Sequence, residues 1–378
     1  MPGRPRTGQL LPMRTTITAL AAAGLLLAAA VPARAAPAVP PLDRAALAAA
    51  VAGLPDGEAS GALVRVSGRA GSWTGSGGVS RLGTTRPVSP EGRFRIGSAT
   101  KLLTAATVLR LDERGVLDLD DTVQQHLPDL LPAAFEPITV RQLLNHTHGI
   151  AGNGLPHKST GWFAENRYRT WDPREVVGLG VAKGPLHRPG AEQRYGNQGY
   201  LVAGLVIEAA TGRPYADSVR ELVIRPLGLR DTYLPGAETG IRGEHSHGYQ
   251  LREDGSHWDV TGANPTFQWA AAEAVSSARD LDRLINALVF GDLIGERSRA
   301  EMLTLPLPGA AHGLGVNRIE LGGVVLWGKT GDRPGYNTGV AVTEDGSRTI
   351  VYSVNTLDME AGELPPTAER IITAALTP

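Results

Sequence analysis

The chain has no cysteine among its 378 residues. That excludes disulfides, thiolate nucleophiles, iron–sulfur clusters and cysteine-ligated zinc. It has almost no excess charge: 37 Lys and Arg stand against 38 Asp and Glu, a net of −1. A balance near zero gives no general pull on nucleic acid or on an anionic membrane surface. Neither the G-x-S-x-G elbow of an α/β-hydrolase nor the H-E-x-x-H pair of a zinc protease occurs. Long hydrophobic runs are also missing. The longest, Ile17 to Val31, is 15 residues, short of the roughly 20 that a membrane-spanning helix needs.

What is present is the composition of a folded, soluble protein: 42% apolar and 20% charged residues, on a chain long enough to bury a sizeable core. Arg4, Arg6 and Arg14 precede the apolar run, and Pro32-Ala33-Arg34-Ala35 follows it with small residues. This three-part layout predicts a secretory signal peptide over 1–35, which reads better from Met13, a candidate for the true start. The mature chain, 36–378, is then expected to be a soluble monomer outside the cytoplasm with no membrane span. Without cysteine, an exported protein gets its stability from its core alone.

Patterning places strands at both ends and helices between. The spacing predicts helices over Leu42–Leu54 and Ser98–Glu113, and strands over Ala62–Val66, Ser72–Val79 and Arg93–Ile96. Helices are expected at Val140–Leu144, Asp172–Leu179, Gly199–Ala210, Tyr215–Val223 and Ala278–Leu288. The tail reads as strands at Leu314–Leu321, Val324–Trp327, Thr338–Val342 and Thr349–Val354, then a helix at Thr367–Leu376. The simplest arrangement is an α+β fold. Strands from both chain ends share one antiparallel sheet flanked by the first and last helices, and a mainly helical lobe, about 117–274, is inserted on one side with a cleft between.

Three short motifs could meet in that cleft. In Ser98-Ala99-Thr100-Lys101, positions i and i+3 of a helix share a face, so the hydroxyl and the amine are neighbours. A serine needs a neighbouring base, and desolvation or nearby positive charge can depress a lysine until it serves as one. Tyr195-Gly196-Asn197 offers a phenol that can relay a proton and an amide that can pair with a substrate. Lys329-Thr330-Gly331 offers charge and a hydroxyl to an anionic group, while glycine lets a substrate approach the strand edge. The amides of Ser98 and Asp332 could form an oxyanion hole. Each motif alone is common by chance.

Gly323 to Thr330 also fits the P-loop pattern G-x-x-x-x-G-K-T. The intervening Val-Val-Leu-Trp reads as strand, and Pro334 interrupts any helix after the lysine, so a nucleotide site is excluded. His245 and His247 could share a strand face, but no third metal ligand is evident. His146 and His148 read as caps or supporting struts at a helix end.

Taken in order, the three motifs resemble the serine β-lactamase and penicillin-binding superfamily. The resemblance extends to Phe94-Arg95-Ile96-Gly97-Ser98, Ile138 to Leu144, Ala203 to Glu208, Gln268-Trp269, Ser276-Ser277 and Gly313-Leu314-Gly315. It is similar to the exported D-alanyl-D-alanine carboxypeptidases of actinomycetes and to class C β-lactamases. The resemblance implies acyl transfer. Ser98 would be the nucleophile, with Lys101 and Tyr195 moving its proton. Asn197 and Trp269 would contact the substrate, Lys329, Thr330 and Gly331 would face its carboxylate, and the Asp332 amide would help hold the oxyanion. No metal or organic cofactor is implied, and the expected partner is a small peptide, β-lactam or ester substrate. A small or hydroxyl residue is usual where Asp332 stands, and a carboxylate there would repel a substrate carboxylate. Three outcomes follow: a D-alanyl-D-alanine carboxypeptidase, a β-lactamase or esterase of the same fold, or a binding protein without turnover.

Overall fold

The computed structural model describes residues 39–358, 360 and 364–377; the expected signal segment lies outside them. Two short strands open the chain after helix α1 (Arg44–Val51): β1 (Ala59–Ser67) and β2 (Trp73–Gly78). Strand β3 (Arg93–Arg95) leads through a 3₁₀ turn, Gly97–Ala99, into α2 (Thr100–Glu113). The middle carries α3 (Val123–His126), α4 (Val140–Leu144), α5 (Thr160–Asn166), α6 (Pro173–Val181), α7 (Gln198–Thr211), α8 (Tyr215–Val219) and α9 (Arg225–Leu227). A hairpin of β4 (Tyr249–Leu251) and β5 (His257–Asp259) follows, then α10 (Trp269–Ala272), β6 (Val275–Ser277), α11 (Ala278–Val289) and α12 (Glu296–Leu303). The tail is β7 (Asn317–Leu321), β8 (Val324–Arg333), β9 (Tyr336–Thr343), β10 (Thr349–Thr356) and α13 (Pro366–Leu376).

The main sheet has the order β2-β1-β10-β9-β8-β7. Its closing step joins the chain ends: β1 runs antiparallel to β10, with Leu63 opposite Ser353 and Val66 opposite Ile350. The fold is thus α+β, with one antiparallel sheet built from both ends. On one face, Leu47 and Val51 of α1 and Ile371 and Ala375 of α13 pack on Val64, Val66, Tyr352 and Val354. On the other, α2, α7 and α11 join Leu63, Val340 and Val351 in a continuous core. The helical middle therefore shares its core with the sheet. Buried Arg348 ties this end of the molecule together by donating to the carbonyls of Ala375, Pro40 and Ala70.

Local chemistry explains the element starts. Asp43 caps α1 by accepting from the amides of Ala45 and Ala46, both at 2.9 Å. Thr139 and Gln142 form a reciprocal capping box on α4. Asp172 caps α6, with Pro173 in its first turn. Among the boundaries that differ from the sequence reading, two bear on the site. Ser98 lies in a 3₁₀ turn, and α2 begins only at Thr100. Strand β8 runs on through Lys-Thr-Gly to Arg333, because the motif itself is hydrogen-bonded to β9, with Lys329 opposite Val340. The short α5 and α12, and the pairing of β6 with β3, had no clear periodic signal. The expected boundary of the lobe at about 117–274 cuts through this shared core rather than around a separate one.

Glycine 77 sets how closely α1 can approach the sheet. A Cβ there would lie 1.9 Å from the Val51 carbonyl oxygen. Gly77→Ala is expected to force α1 outward and destabilise the protein by about 1–3 kcal/mol, the usual range for overpacking. Denaturant unfolding measures this, and an unchanged midpoint would show that α1 moves at no cost.

Candidate active site

Ser98, Lys101, Tyr195, Asn197 and Lys329, far apart in sequence, converge at the junction of α2, α7 and β8. The Lys101 side chain is fully buried. Its Nζ lies 3.1 Å from Ser98 Oγ, 2.8 Å from Asn197 Oδ1 and 3.0 Å from the Ala271 carbonyl. That set suits a neutral amine. Its two N–H groups meet two carbonyl oxygens, and its lone pair faces the serine hydroxyl. Burial, and then the charge of Lys329, hold the Lys101 pKa well below the ordinary lysine value.

The third partner depends on α10, which supplies the Ala271 carbonyl. Thr104 Oγ1 on α2 donates to the Ala270 carbonyl at 2.7 Å, and the Ala274 amide donates to Thr100 Oγ1 at 3.1 Å. These bonds fix α10 against the helix that bears Lys101. Asn197 opens α7 but makes no capping bond with its side chain, which is turned to Lys101 instead.

Tyr195 hydrogen-bonds Ser98, and burial of its hydroxyl pushes its pKa up to about 12 despite that bond; the Asp332 carboxylate adds to the rise. The residue as a whole remains 45% exposed. His146 lies 4.6 Å from the ring and His312 stacks on it at 5.1 Å, centroid to centroid. The Lys329 ammonium sits 4.4 Å from the ring centre. Burial lowers the Lys329 pKa to about 8, with Asp332 opposing the shift.

Two glycines bring the nucleophile's turn against the strand. A Cβ on Gly97 would lie 2.6 Å from the Asp332 nitrogen, and one on Gly331 would lie 2.6 Å from the Ser98 nitrogen. Gly97 also has φ +50°, a conformation that favours glycine. Hydrogen-bond direction completes the arrangement. The Glu344 amide donates to the Val325 carbonyl at 2.9 Å, so odd-numbered positions of β8 bond to β9. The even-numbered Asp332 turns its N–H to the opposite edge, where Ser98 packs. Both amides are thus placed for an oxyanion.

The segment before Tyr195 is buttressed by His146, which the sequence reading takes as a cap or strut, and by Gln193 and His312, which it does not single out. The Arg194 amide donates to the His146 carbonyl at 2.9 Å, and Gln193 Nε2 bridges the Asn145 and His312 carbonyls, each at 2.8 Å. His148 accepts from the Ile150 amide at 2.9 Å. His245 and His247 lie elsewhere: His247 shares a 2.7 Å bond with Asp259, and His245 one of 2.7 Å with the Gly243 carbonyl. Thr330 is exposed on the strand beyond Lys329.

Trp269 departs from expectation. Its indole packs edge-on against Tyr215 at 5.0 Å and closely over Gly204 of α7. The side chain that lines the neighbouring cavity is that of Gln268, together with Phe267, Trp162 and Trp171. Trp269 has a backbone φ of +26°, an uncommon conformation for a residue other than glycine.

The family model described as Beta-lactamase matches residues 45–373. The chain belongs to the Beta-lactamase family. Among relatives, it is 26% identical to Penicillin-binding protein 4* of Bacillus subtilis over 74% of this chain and 64% of that one. It is 37% identical to Esterase EstB of Burkholderia gladioli over 40% of this chain and 41% of that one. The chain thus spans less than two thirds of the length of either. Among solved structures, a D-stereospecific amidohydrolase from Streptomyces sp. superposes with a TM-score of 0.77 at 34% identity, covering 88% of this chain and 98% of that one. Family membership accords with the convergence of Ser98, Lys101 and Tyr195 in one site.

Two outcomes follow from the electrostatics. Lys101→Met removes the amine that faces Ser98 and is expected to slow acylation by about 10²–10⁴-fold, the usual share of a general base; stopped-flow acylation by a chromogenic β-lactam measures it, and an unaltered rate would remove Lys101 from the proton path. Lys329 is cationic below about 8 and neutral above it. A substrate that uses it to hold a carboxylate should lose kcat/KM as pH rises through that value, whereas a neutral ester should not. A shared alkaline limb would show that Lys329 acts on the chemistry rather than on the carboxylate.

Proposed function

We infer that the protein is an exported serine hydrolase that cleaves D-configured peptide-type amides through an acyl-enzyme on Ser98. Its expected form is the D-alanyl-D-alanine carboxypeptidase reaction on peptidoglycan-type peptides. The observation that carries this reading is the 3.1 Å contact of Ser98 Oγ with a fully buried Lys101 amine whose pKa burial depresses.

The steps follow from the contacts. Lys101 takes the Ser98 proton as Oγ bonds to the substrate carbonyl carbon. The tetrahedral oxygen is held by the amides of Ser98 and Asp332. Tyr195, with its pKa near 12, is protonated at neutral pH and delivers a proton to the departing amine as the C–N bond breaks. Lys101 then returns the proton to Tyr195. Water attacks the acyl-enzyme, one of its protons restores Ser98, and the acid is released. Asn197 holds Lys101 in register.

Asp332 favours a second reading within the same chemistry: hydrolysis of amides or esters that carry no carboxylate next to the scissile bond. Thr330 and Asp332 share one strand face, so a terminal carboxylate at Thr330 meets like charge two residues on. The resemblance of the chain to an amidohydrolase and to an esterase accords with this form.

Incubation with labelled penicillin, followed by assays on a D-alanyl-D-alanine peptide, nitrocefin and a short-chain ester, tests both readings. D-alanine release supports the carboxypeptidase; ester turnover without it supports the second form. Neither label on Ser98 nor turnover of any substrate would leave a binding protein of this fold. Asp332→Thr is expected to raise acylation by penicillin about tenfold, an ordinary effect for removing one like charge. An unchanged rate would show that the carboxylate does not reach the substrate.

A further inference from the structure

Beyond the Lys-Thr-Gly strand lies a cavity of about 440 Å³, within the size range of small-molecule sites. None of Ser98, Lys101, Tyr195 or Lys329 lines it. Part of its wall is a triangle of aromatic rings. Trp162 stacks on Trp171 at 5.8 Å, and Phe267 lies 5.0 Å from Trp162 and 5.1 Å from Trp171. Three basic residues share the lining: Arg333 at the end of β8, Lys158 before α5 and Arg167 after it. Arg167 is engaged elsewhere. It donates to the Asp259 carbonyl at 3.1 Å and lies over the Trp258 ring at 4.4 Å. Lys158 is exposed.

Arg333 is the group left wanting a partner. It is only 9% exposed, yet no carboxylate pairs with it among the described residues. Its Nη1 donates to Gln268 Oε1, and its buried Nε has no acceptor. Burial, and then Arg95, lower its pKa to about 9, which leaves it cationic at neutral pH. Glu273 does not discharge it, because burial pushes the Glu273 pKa up to about 8 and keeps that carboxyl protonated. Two carboxylates of the lining, in contrast, already have donors: Asp332 accepts from Asn337 Nδ2, and Asp358 from Gln250 Nε2 at 2.9 Å. Glu58, the third, is exposed to water. A buried guanidinium without a counter-charge is costly, and an anion in the cavity relieves that cost.

We propose that this cavity is an anion site, beside the reaction centre and separate from it, for a carboxylate carried on a flat apolar body. The carboxylate pairs with the unpartnered edge of the Arg333 guanidinium, whose planar fork matches it. The body lies against Trp162 and Phe267, where water is displaced from apolar surface. Lys158 at the rim adds attraction from outside. A singly charged head suits the site better than a phosphate, because Glu58, Asp332 and Asp358 on the same lining repel a second negative charge.

Binding of 3-phenylpropionate to the protein, followed by calorimetry and by the fluorescence of the wall tryptophans, tests the site whether or not Ser98 forms an acyl-enzyme. The neutral isostere 3-phenylpropanamide is expected to bind at least about tenfold more weakly than the acid, the usual loss of a charge-assisted hydrogen bond. Phenyl phosphate at neutral pH should also bind more weakly than the acid. Arg333→Gln should abolish the preference for the acid over the amide, and Trp162→Leu should weaken both alike. If a thermal melt shows that Arg333→Gln folds poorly, the acid-to-amide ratio on the wild type still decides. Lys329→Met, which removes the amine of the reaction centre, should leave binding of the acid unchanged. Equal binding of acid and amide, no binding of the acid, or its loss in Lys329→Met would overturn the site. Tighter binding of phenyl phosphate would overturn the choice of head group.

Discussion

A buried amine that must stay close to a hydroxyl is the constraint on which the rest of the structure turns. Charged Lys101 in a fully enclosed position would be costly, because desolvation penalises the ionised form. The protein does not pair it with a carboxylate, which would hold the proton on. It surrounds the nitrogen with two carbonyl oxygens and the Ser98 hydroxyl, and places a second lysine near enough to disfavour another positive charge. Tyr195 is treated in the opposite sense. Its hydroxyl is buried beside Ser98 and the Asp332 charge opposes ionisation, so the phenol keeps its proton. The two groups are driven apart in proton affinity by the same enclosure, one toward base and the other toward acid.

That enclosure requires parts from distant segments to be held without slack. Gly97 lies against the Asp332 backbone and Gly331 against those of Ile96 and Ser98 because neither glycine carries a Cβ. This contact fastens the nucleophile's turn to β8, and β8 is in turn held by β9 in the middle of a sheet closed by pairing β1 with β10. On the other side, Thr100 and Thr104 fasten α10 to α2, and Gln193 links the approach to Tyr195 with the ends of α4 and with the loop around His312. Precision at the site is therefore a property of hydrogen bonds and close backbone contacts several residues from the chemistry.

At the position after Lys-Thr-Gly, backbone and side chain contribute separately. Its backbone packs against the turn at Gly97 and Ser98 whatever the side chain is, so the side chain can vary without moving that turn. Here it is a carboxylate at the mouth of an aromatic cavity. Main-chain geometry fixes the contact with the nucleophile's turn, while the local charge is set by one side chain.

Much of this was legible in the chain itself. The apolar, strand-like runs Ala62–Val66 and Thr349–Val354 and the helical spacing after Ser98 located the main strands and α2. All three are buried on nearly every side, so run length and flanking turns marked them more than one-faced burial did. The i, i+3 spacing of Ser98 and Lys101 fixed their proximity, which is local. Short elements such as α5, α10 and β6 have too few residues for a period to emerge, and their positions come from contacts made across the fold. The direction of Trp269, the use of Asn197 on Lys101 rather than on its own helix, the stacking of His312 on Tyr195 and the cavity behind Asp332 depend on atoms separated by tens to hundreds of positions. The sequence by itself determined which groups can react, since reactivity begins with residue type and local spacing. Only the tertiary structure decided which of them lose water, and with it which hold or release a proton, because desolvation is set by everything packed around a group rather than by its neighbours along the chain.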